Sequence, residues 1–285
     1  MSRIAQEIEA VETGAHARRL GLAVLAASDG EASVSLPIGI ATQNRGGRVH
    51  GGAIASVLLA AARVATAASE RDGVARRLWC LDAQVSFLQV PGEAAVTAEA
   101  RVERRGRDLA HVSVVAHDAD GNRVARAAVT TLLFVDESPS ANATTSPSYG
   151  FVHAEAGTAI EGSPYLTAAG IRLLEPKGGL ARLRLPYVSN GADHPLRVDD
   201  GAIAGLVDSC AAFASYLDCG ASIDRRGITV TMSVQFLAPL PEDLIGSARV
   251  VASAADCRIS EVEVLGVAGG RAAARGTAVY RIVGA

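Results

Sequence analysis

Apolar positions along the chain follow two different periods. Strand-like alternation of apolar and polar residues runs through 94–104, 109–118 and 123–135, and again through 244–254, 257–267 and 271–283. Two segments depart from it. "RVHGGAIASVLLAAARVA" (48–65) and "RVDDGAIAGLVDSCAAFA" (197–214) are apolar nearly all round, which predicts long helices that must be buried. Asp29-Gly30 and Gly178-Gly179 are two-residue turn signals, so 21–38 and 170–187 read as hairpins. The N-terminus "MSRIAQEIEAVETGAHARRLG" reads as a short amphipathic lead-in helix over 1–19.

The two apolar segments are copies of one another at an offset of 149 residues, and the offset holds beyond them. "GLAVLAASDGEASVSLPI" at 21–38 lies over "GIRLLEPKGGLARLRLPY" at 170–187, and "LDAQVSFLQVPGE" at 81–93 lies over "VTMSVQFLAPLPE" at 230–242. Between the halves sits "DESPSANATTSPSYG", with no apolar period. The chain is therefore a tandem duplication. Its expected organisation is an N-terminal repeat 1–135, a linker 136–165 and a C-terminal repeat 166–285. Each repeat has the order strand, strand, helix, then three or four strands. The predicted class is α+β, each long helix wrapped by an antiparallel sheet.

Composition narrows the function classes. The chain is 49% hydrophobic and 20% charged with a net charge of −3, which gives no push toward nucleic acid. The longest uncharged run, Val49–Ala62, is Ala-rich and ends at Arg63, so a buried helix is expected rather than a membrane span. The N-terminus lacks the continuous apolar core of a secretory signal. Cys80, Cys210, Cys219 and Cys257 form no CxxC pair, which suggests a reduced, cytoplasmic setting. His111 and His117 share a strand face, but no third ligand accompanies them, so no metal is expected.

"NRGGRVHGGAIASVLL" (44–59) resembles the Asn-x-x-Gly-x-x-His-Gly-Gly signature of hotdog-fold acyl-CoA thioesterases of the phenylacetate-degradation type. "GLVDSCAAFA" followed by "GITVTMSVQFLAPLP" resembles the helix and next strand of the same family. The likeness covers nearly the whole chain twice, which implies a double hotdog. It also implies an acyl-CoA substrate and no cofactor; the tandem chain already equals one hotdog dimer, and a homo-oligomer of such pseudo-dimers is left open.

In that family the carboxylate lies eight residues after the first Gly of His-Gly-Gly. At 1.5 Å per residue the two are about 12 Å apart on one helix, too far to touch one thioester. A site must then combine the N-terminus of one helix with the middle of another, and here the two repeats can supply both. The first repeat has Asn44, His50, Gly51 and Gly52 but Leu59 at the acid position. The second has Asp193, Asp199 and Asp200 in place of Asn, His and Gly, but carries Asp208 at the acid position. One composite site is complete and the other has lost both parts. The resemblance makes the Gly51 N–H the main oxyanion donor and the Asn44 amide a second. It makes Asp208 the general base or nucleophile, and Thr229 a holder of the water. Gly52 lets substrate approach closely, and His50 braces the turn.

Other readings stand beside these. Asp199-Asp200 can be a helix cap, Asp208 a buried residue with a structural hydrogen bond, and Cys210 a small core residue. "RVERRGRD" (101–108) is a solvated hairpin tip or a place where an arginine meets the phosphates of coenzyme A. A non-catalytic acyl-CoA-binding or sensing protein is the rival function. A hydratase ranks lower, for want of an Asp-x-Asn-Pro-x-His-like segment.

Overall fold

The computed structural model describes residues 2–70, 76–135, 157–160, 162–191, 197–222 and 225–283. Asp193 and most of the expected linker lie outside the described residues. In the first repeat the elements are α1 (Arg3–Thr13), α2 (Ala15–Leu20), β1 (Ala23–Ser28), β2 (Glu31–Pro37), α3 (Gly51–Ala68), β3 (Arg76–Phe87), β4 (Ala95–Arg105), β5 (Leu109–Asp118) and β6 (Arg123–Val135). The second has β7 (Thr158–Ala159), α4 (Pro164–Ala168), β8 (Arg172–Lys177), β9 (Leu180–Leu185), α5 (Asp200–Cys219), β10 (Gly227–Phe236), β11 (Leu244–Ala254), β12 (Cys257–Gly266) and β13 (Ala272–Ile282).

The 149-residue offset carries β1 onto β8 and β4 onto β11 without slippage, and α2 onto α4. α4 thus starts inside the segment expected to be linker. The lead-in is two helices rather than one, because Gly14 leaves the helical region (ψ 137°) and turns the chain. Both hairpin turns have two consecutive positive-φ residues, Asp29 and Gly30 (49° and 81°), then Gly178 and Gly179 (61° and 78°). That is the conformation whose twist suits adjacent antiparallel strands.

Among the described residues the strands form one thirteen-stranded sheet in the order β1-β2-β4-β5-β6-β3-β10-β13-β12-β11-β9-β8-β7. The halves join where β3 pairs antiparallel with β10, Ala83 opposite Val234, Gln84 opposite Ser233, Val85 opposite Met232. Gln84 and Ser233 are each other's counterparts in the repeat, so a pseudo-twofold axis passes between them. The two halves therefore meet as an isologous dimer does.

Inside the sheet, α3 and α5 pack against each other. A Cβ on Gly52 would lie 2.6 Å from the Gly205 Cα, and one on Gly201 would lie 2.9 Å from the Ser56 Cα. Position 52 meets 205 while 56 meets 201, so the helices run antiparallel. The contact is close because glycine stands at each crossing point. Both helices are long and apolar enough to cross a membrane by length and composition. Here they form the core, and every residue from Gly52 to Ala67 is buried.

Candidate active site

The helix crossing sets the first turn of α3 against the middle of α5. An ideal Cβ on Gly51 would sit 2.8 Å from Asp208 Oδ2 and 3.1 Å from Oδ1. Asp208 is only 4% exposed in the middle of the largely apolar α5. Thr229, on β10, donates its hydroxyl to Asp208 Oδ1 at 2.5 Å. A charge-assisted bond of this kind fixes the carboxylate and satisfies one of its oxygens in a poorly hydrated place.

The N-terminus of α3 leaves one amide available. His50 is its N-cap, and His50 Nδ1 accepts from the Gly52 N–H at 3.0 Å. The Ala53 and Ile54 amides donate to the His50 carbonyl. Among the described residues nothing accepts the Gly51 N–H, which lies at the positive end of the helix dipole. Burial pushes the His50 pKa down, although Asp208 opposes this, so the ring is neutral near pH 7. Nδ1 serves as an acceptor there. Its 3.3 Å contact with Asp208 Oδ2 is consequently no ion pair, because the imidazole carries no charge. His50 stacks on the buried Tyr165 ring, centroids 4.2 Å apart and 15° from parallel. The Tyr165 amide donates to the Gln43 carbonyl, tying α4 of the second repeat to the loop that precedes α3.

Asn44 organises that loop. Its Oδ1 accepts from the Gly46 and Arg48 amides at 2.9 and 3.1 Å. With its oxygen committed to the turn, Asn44 has only its NH₂ to offer a ligand.

These groups surround one cavity of about 590 Å³, lined by Asn44, His50, Gly51, Asp208 and Thr229 among others. Its mouth follows from the sheet. The β3–β10 ladder ends at the Ser86–Thr231 pair, and residues 87–91 line the cavity opposite 225–229. All of the cited site residues except Gly52 line this cavity; Gly52 instead lies in the helix crossing. The 101–108 tip is not among the lining residues. Among the described residues no cluster of three or more metal-ligating side chains occurs.

The pseudo-symmetric position is filled. Leu59 stands where Asp208 does, Asp200 where Gly51 does, and Cys80 where Thr229 does. Asp199 caps α5 by accepting from the Gly201 N–H at 2.8 Å. Asp200 Oδ1 accepts from Arg197 at 3.2 Å, and the Cys80 thiol lies near the carboxylate. Residues of α1 and α2 (Val11 and Ala17) pack against Ser56, Leu59 and Arg63, and leave a void of only about 10 Å³. Arg63 bridges Glu7 of α1 at 2.8 Å and Asp199 at 3.3 Å. Burial alone would lower the Arg63 pKa, but Glu7 and Asp199 outweigh it and hold the guanidinium charged. Arg63→Ala would strand both carboxylates, so unfolding free energy in urea should fall by about 3–5 kcal/mol. A loss below about 1 kcal/mol would contradict this anchoring role.

His16, the counterpart of Tyr165, braces α3 from below. Its Nδ1 accepts from Arg19 at 2.5 Å, its Nε2 lies 2.9 Å from Ser56 Oγ, and Ser56 donates to the Gly52 carbonyl at 2.7 Å. Those roles require the neutral ring with its proton on Nε2. Burial lowers the His16 pKa to about 4. The unfolded chain then takes up a proton near pH 6.5 that the fold refuses. Stability is complete above pH 6.5 and falls as pH drops from there toward 4, by up to about 3 kcal/mol. Urea titrations at pH 7 and 5 should show the decline in wild type and a shallower one in His16→Asn. Equal declines would exclude His16 as its source.

Residues 41–132 match the family described as acyl-CoA thioesterase N-terminal domain. A search of curated protein sequences returned no significant match. Among solved structures, the chain is similar to a conserved hot dog fold protein of unknown function from Alicyclobacillus acidocaldarius, at 19% identity and a TM-score of 0.68. That likeness covers 96% of this chain and 99% of the other. It is also similar to a tesB protein from Mycobacterium avium subspecies paratuberculosis (15%, TM-score 0.66, covering 94% and 97%). An acyl-CoA thioesterase II from Mycobacterium marinum is a third (12%, TM-score 0.65, covering 94% and 96%). At these identities the structural likeness establishes the fold. None of the three is described as of the phenylacetate-degradation type. The chain is a double hotdog, and residues 41–132 within its N-terminal repeat match the acyl-CoA thioesterase N-terminal domain family.

Proposed function

We propose that the protein hydrolyses acyl-CoA thioesters at one composite site, with oxyanion donors from the first repeat and the carboxylate from the second. The observation that carries this reading is the unclaimed Gly51 amide beside the Asp208 carboxylate in a single cavity. The thioester carbonyl oxygen sits at the Gly51 N–H, with the Asn44 NH₂ as second donor. Thr229 holds Asp208 Oδ1, and Oδ2 takes a proton from water as the hydroxide adds to the carbonyl carbon. The tetrahedral oxyanion is stabilised at the positive end of α3. Collapse breaks the C–S bond, and the departing thiolate receives the proton that Asp208 had taken. Products are a carboxylic acid and free coenzyme A.

His50 is not a proton carrier in this scheme. Its Nδ1 is occupied by the Gly52 amide, and burial keeps the ring neutral. Its part is to hold the first turn of α3 so that the Gly51 N–H points into the cavity.

The test is a panel of straight-chain and aromatic acyl-CoA substrates, with free thiol read by a chromogenic reagent. Thiol release above the uncatalysed rate from at least one of them is expected. Calorimetric binding of acyl-CoA with no thiol release would instead identify a binding or sensing protein.

A further inference from the structure

Four arginines line the cavity, and no sequence motif pointed to them: Arg45 and Arg48 from the loop before α3, and Arg225 and Arg226 from the start of β10. They come from different repeats, so the rim is composite in the same way as the catalytic groups. Asp208 is the only acidic residue among the described lining residues. The described lining is thus locally cationic in a chain whose net charge is −3. Low-dielectric walls lined by one sign of charge concentrate an oppositely charged ligand.

Comparison of the repeats sharpens this. The counterpart of Arg48 is Arg197, which is buried and bonded to Asp200. In the first repeat Gly51 stands where Asp200 does, so Arg48 has no such carboxylate at the matching position and is exposed at the cavity. The same ancestral arginine is spent on an internal carboxylate where the site is closed, and stands at the rim where the site is open.

We propose that Arg45, Arg48, Arg225 and Arg226 form an anion subsite for the phosphate groups of the substrate's nucleotide, so that recognition rests on the leaving group as well as the acyl chain. This rests on the reading of the cavity as a thioesterase site. A coenzyme A thioester carries a diphosphate and a ribose phosphate, and guanidinium forks are suited to phosphate oxygens. The arginines line a concave cavity, which fits a small polyanion rather than the broad face of an acidic carrier protein.

The experiment compares an acyl-CoA with the N-acetylcysteamine thioester of the same acyl group, which lacks the nucleotide. The readout is the ratio of the two kcat/KM values. In R45A/R48A/R225A/R226A the ratio should fall by about tenfold or more, through KM for the CoA substrate. The R45A/R48A and R225A/R226A pairs should each move it the same way, and they carry the test should the fourfold variant not fold. Raising ionic strength should lower the wild-type ratio. A ratio unchanged in every folded variant overturns the proposal. So does a loss confined to an acyl carrier protein substrate, which would assign the rim to an acidic protein. If wild type hydrolyses neither thioester, the reading of the site fails on its own. Calorimetry with free coenzyme A and with pantetheine then decides the rim: selective loss of coenzyme A binding in the variants supports it, and equal binding overturns it.

Discussion

Asp208→Asn is expected to lower kcat for acyl-CoA hydrolysis by about a thousandfold or more, with little change in melting temperature. The amide is nearly isosteric with the carboxylate, and its oxygen can still accept from Thr229, as Asp208 Oδ1 does at 2.5 Å. What it lacks is an acceptor for the proton of water, or a nucleophilic oxygen. Leu59→Met at the matching position of the first repeat keeps core volume and should leave kcat within about twofold, because Leu59 borders the filled site. Stopped thiol-release assays with circular dichroism melts check both variants. Substantial turnover by a folded Asp208→Asn protein would remove Asp208 from the mechanism.

Gly51→Ala is expected to lower kcat by about a hundredfold or more while leaving the fold intact. Alanine is favoured over glycine inside a helix by about 1 kcal/mol, so local propensity does not oppose the change. The obstacle is the neighbour across the helix crossing. A Cβ at position 51 would lie 2.8 Å from Asp208 Oδ2, closer than such contacts allow. Either the carboxylate rotates away from Thr229 or the first turn of α3 shifts, and the donor and the base lose their alignment. A folded Gly51→Ala enzyme with near-wild-type kcat would show that the close approach has no catalytic use.

Much of the architecture was legible because strand alternation and the repeat are both strong, redundant signals. The β4–β6 runs at 94–104, 109–118 and 123–135 lie within a residue or so of the observed strands. The family resemblance put the acid eight residues after the first Gly, helix arithmetic then required two helices, and the 149-residue offset named Asp208 as the partner of Gly51. Other features depend on contacts distant in sequence. An amphipathic helix over 3–13 does not reveal which surface it covers, so the closing of the second pseudo-site through Glu7, Arg63 and Asp199 was not foreseen. The charge of Arg63 inside an apolar helix was the available hint. Tyr165 carried no chemical motif; only its register with His16 marks it. The arginine-rich 101–108 drew attention by composition, whereas the arginines at the cavity are scattered singly or in pairs and converge only through folding.

The central claim, that the two repeats contribute complementary halves of one active site, is tested most directly by a double-mutant cycle on kcat. Gly51→Ala, Asp208→Asn and the double variant would be assayed with the best acyl-CoA substrate. The account predicts that each single change removes nearly all turnover, and that the double variant falls little below the poorer single variant. Single variants that each keep about half the wild-type rate, with activity lost only on combining them, would mean two independent sites and would contradict it.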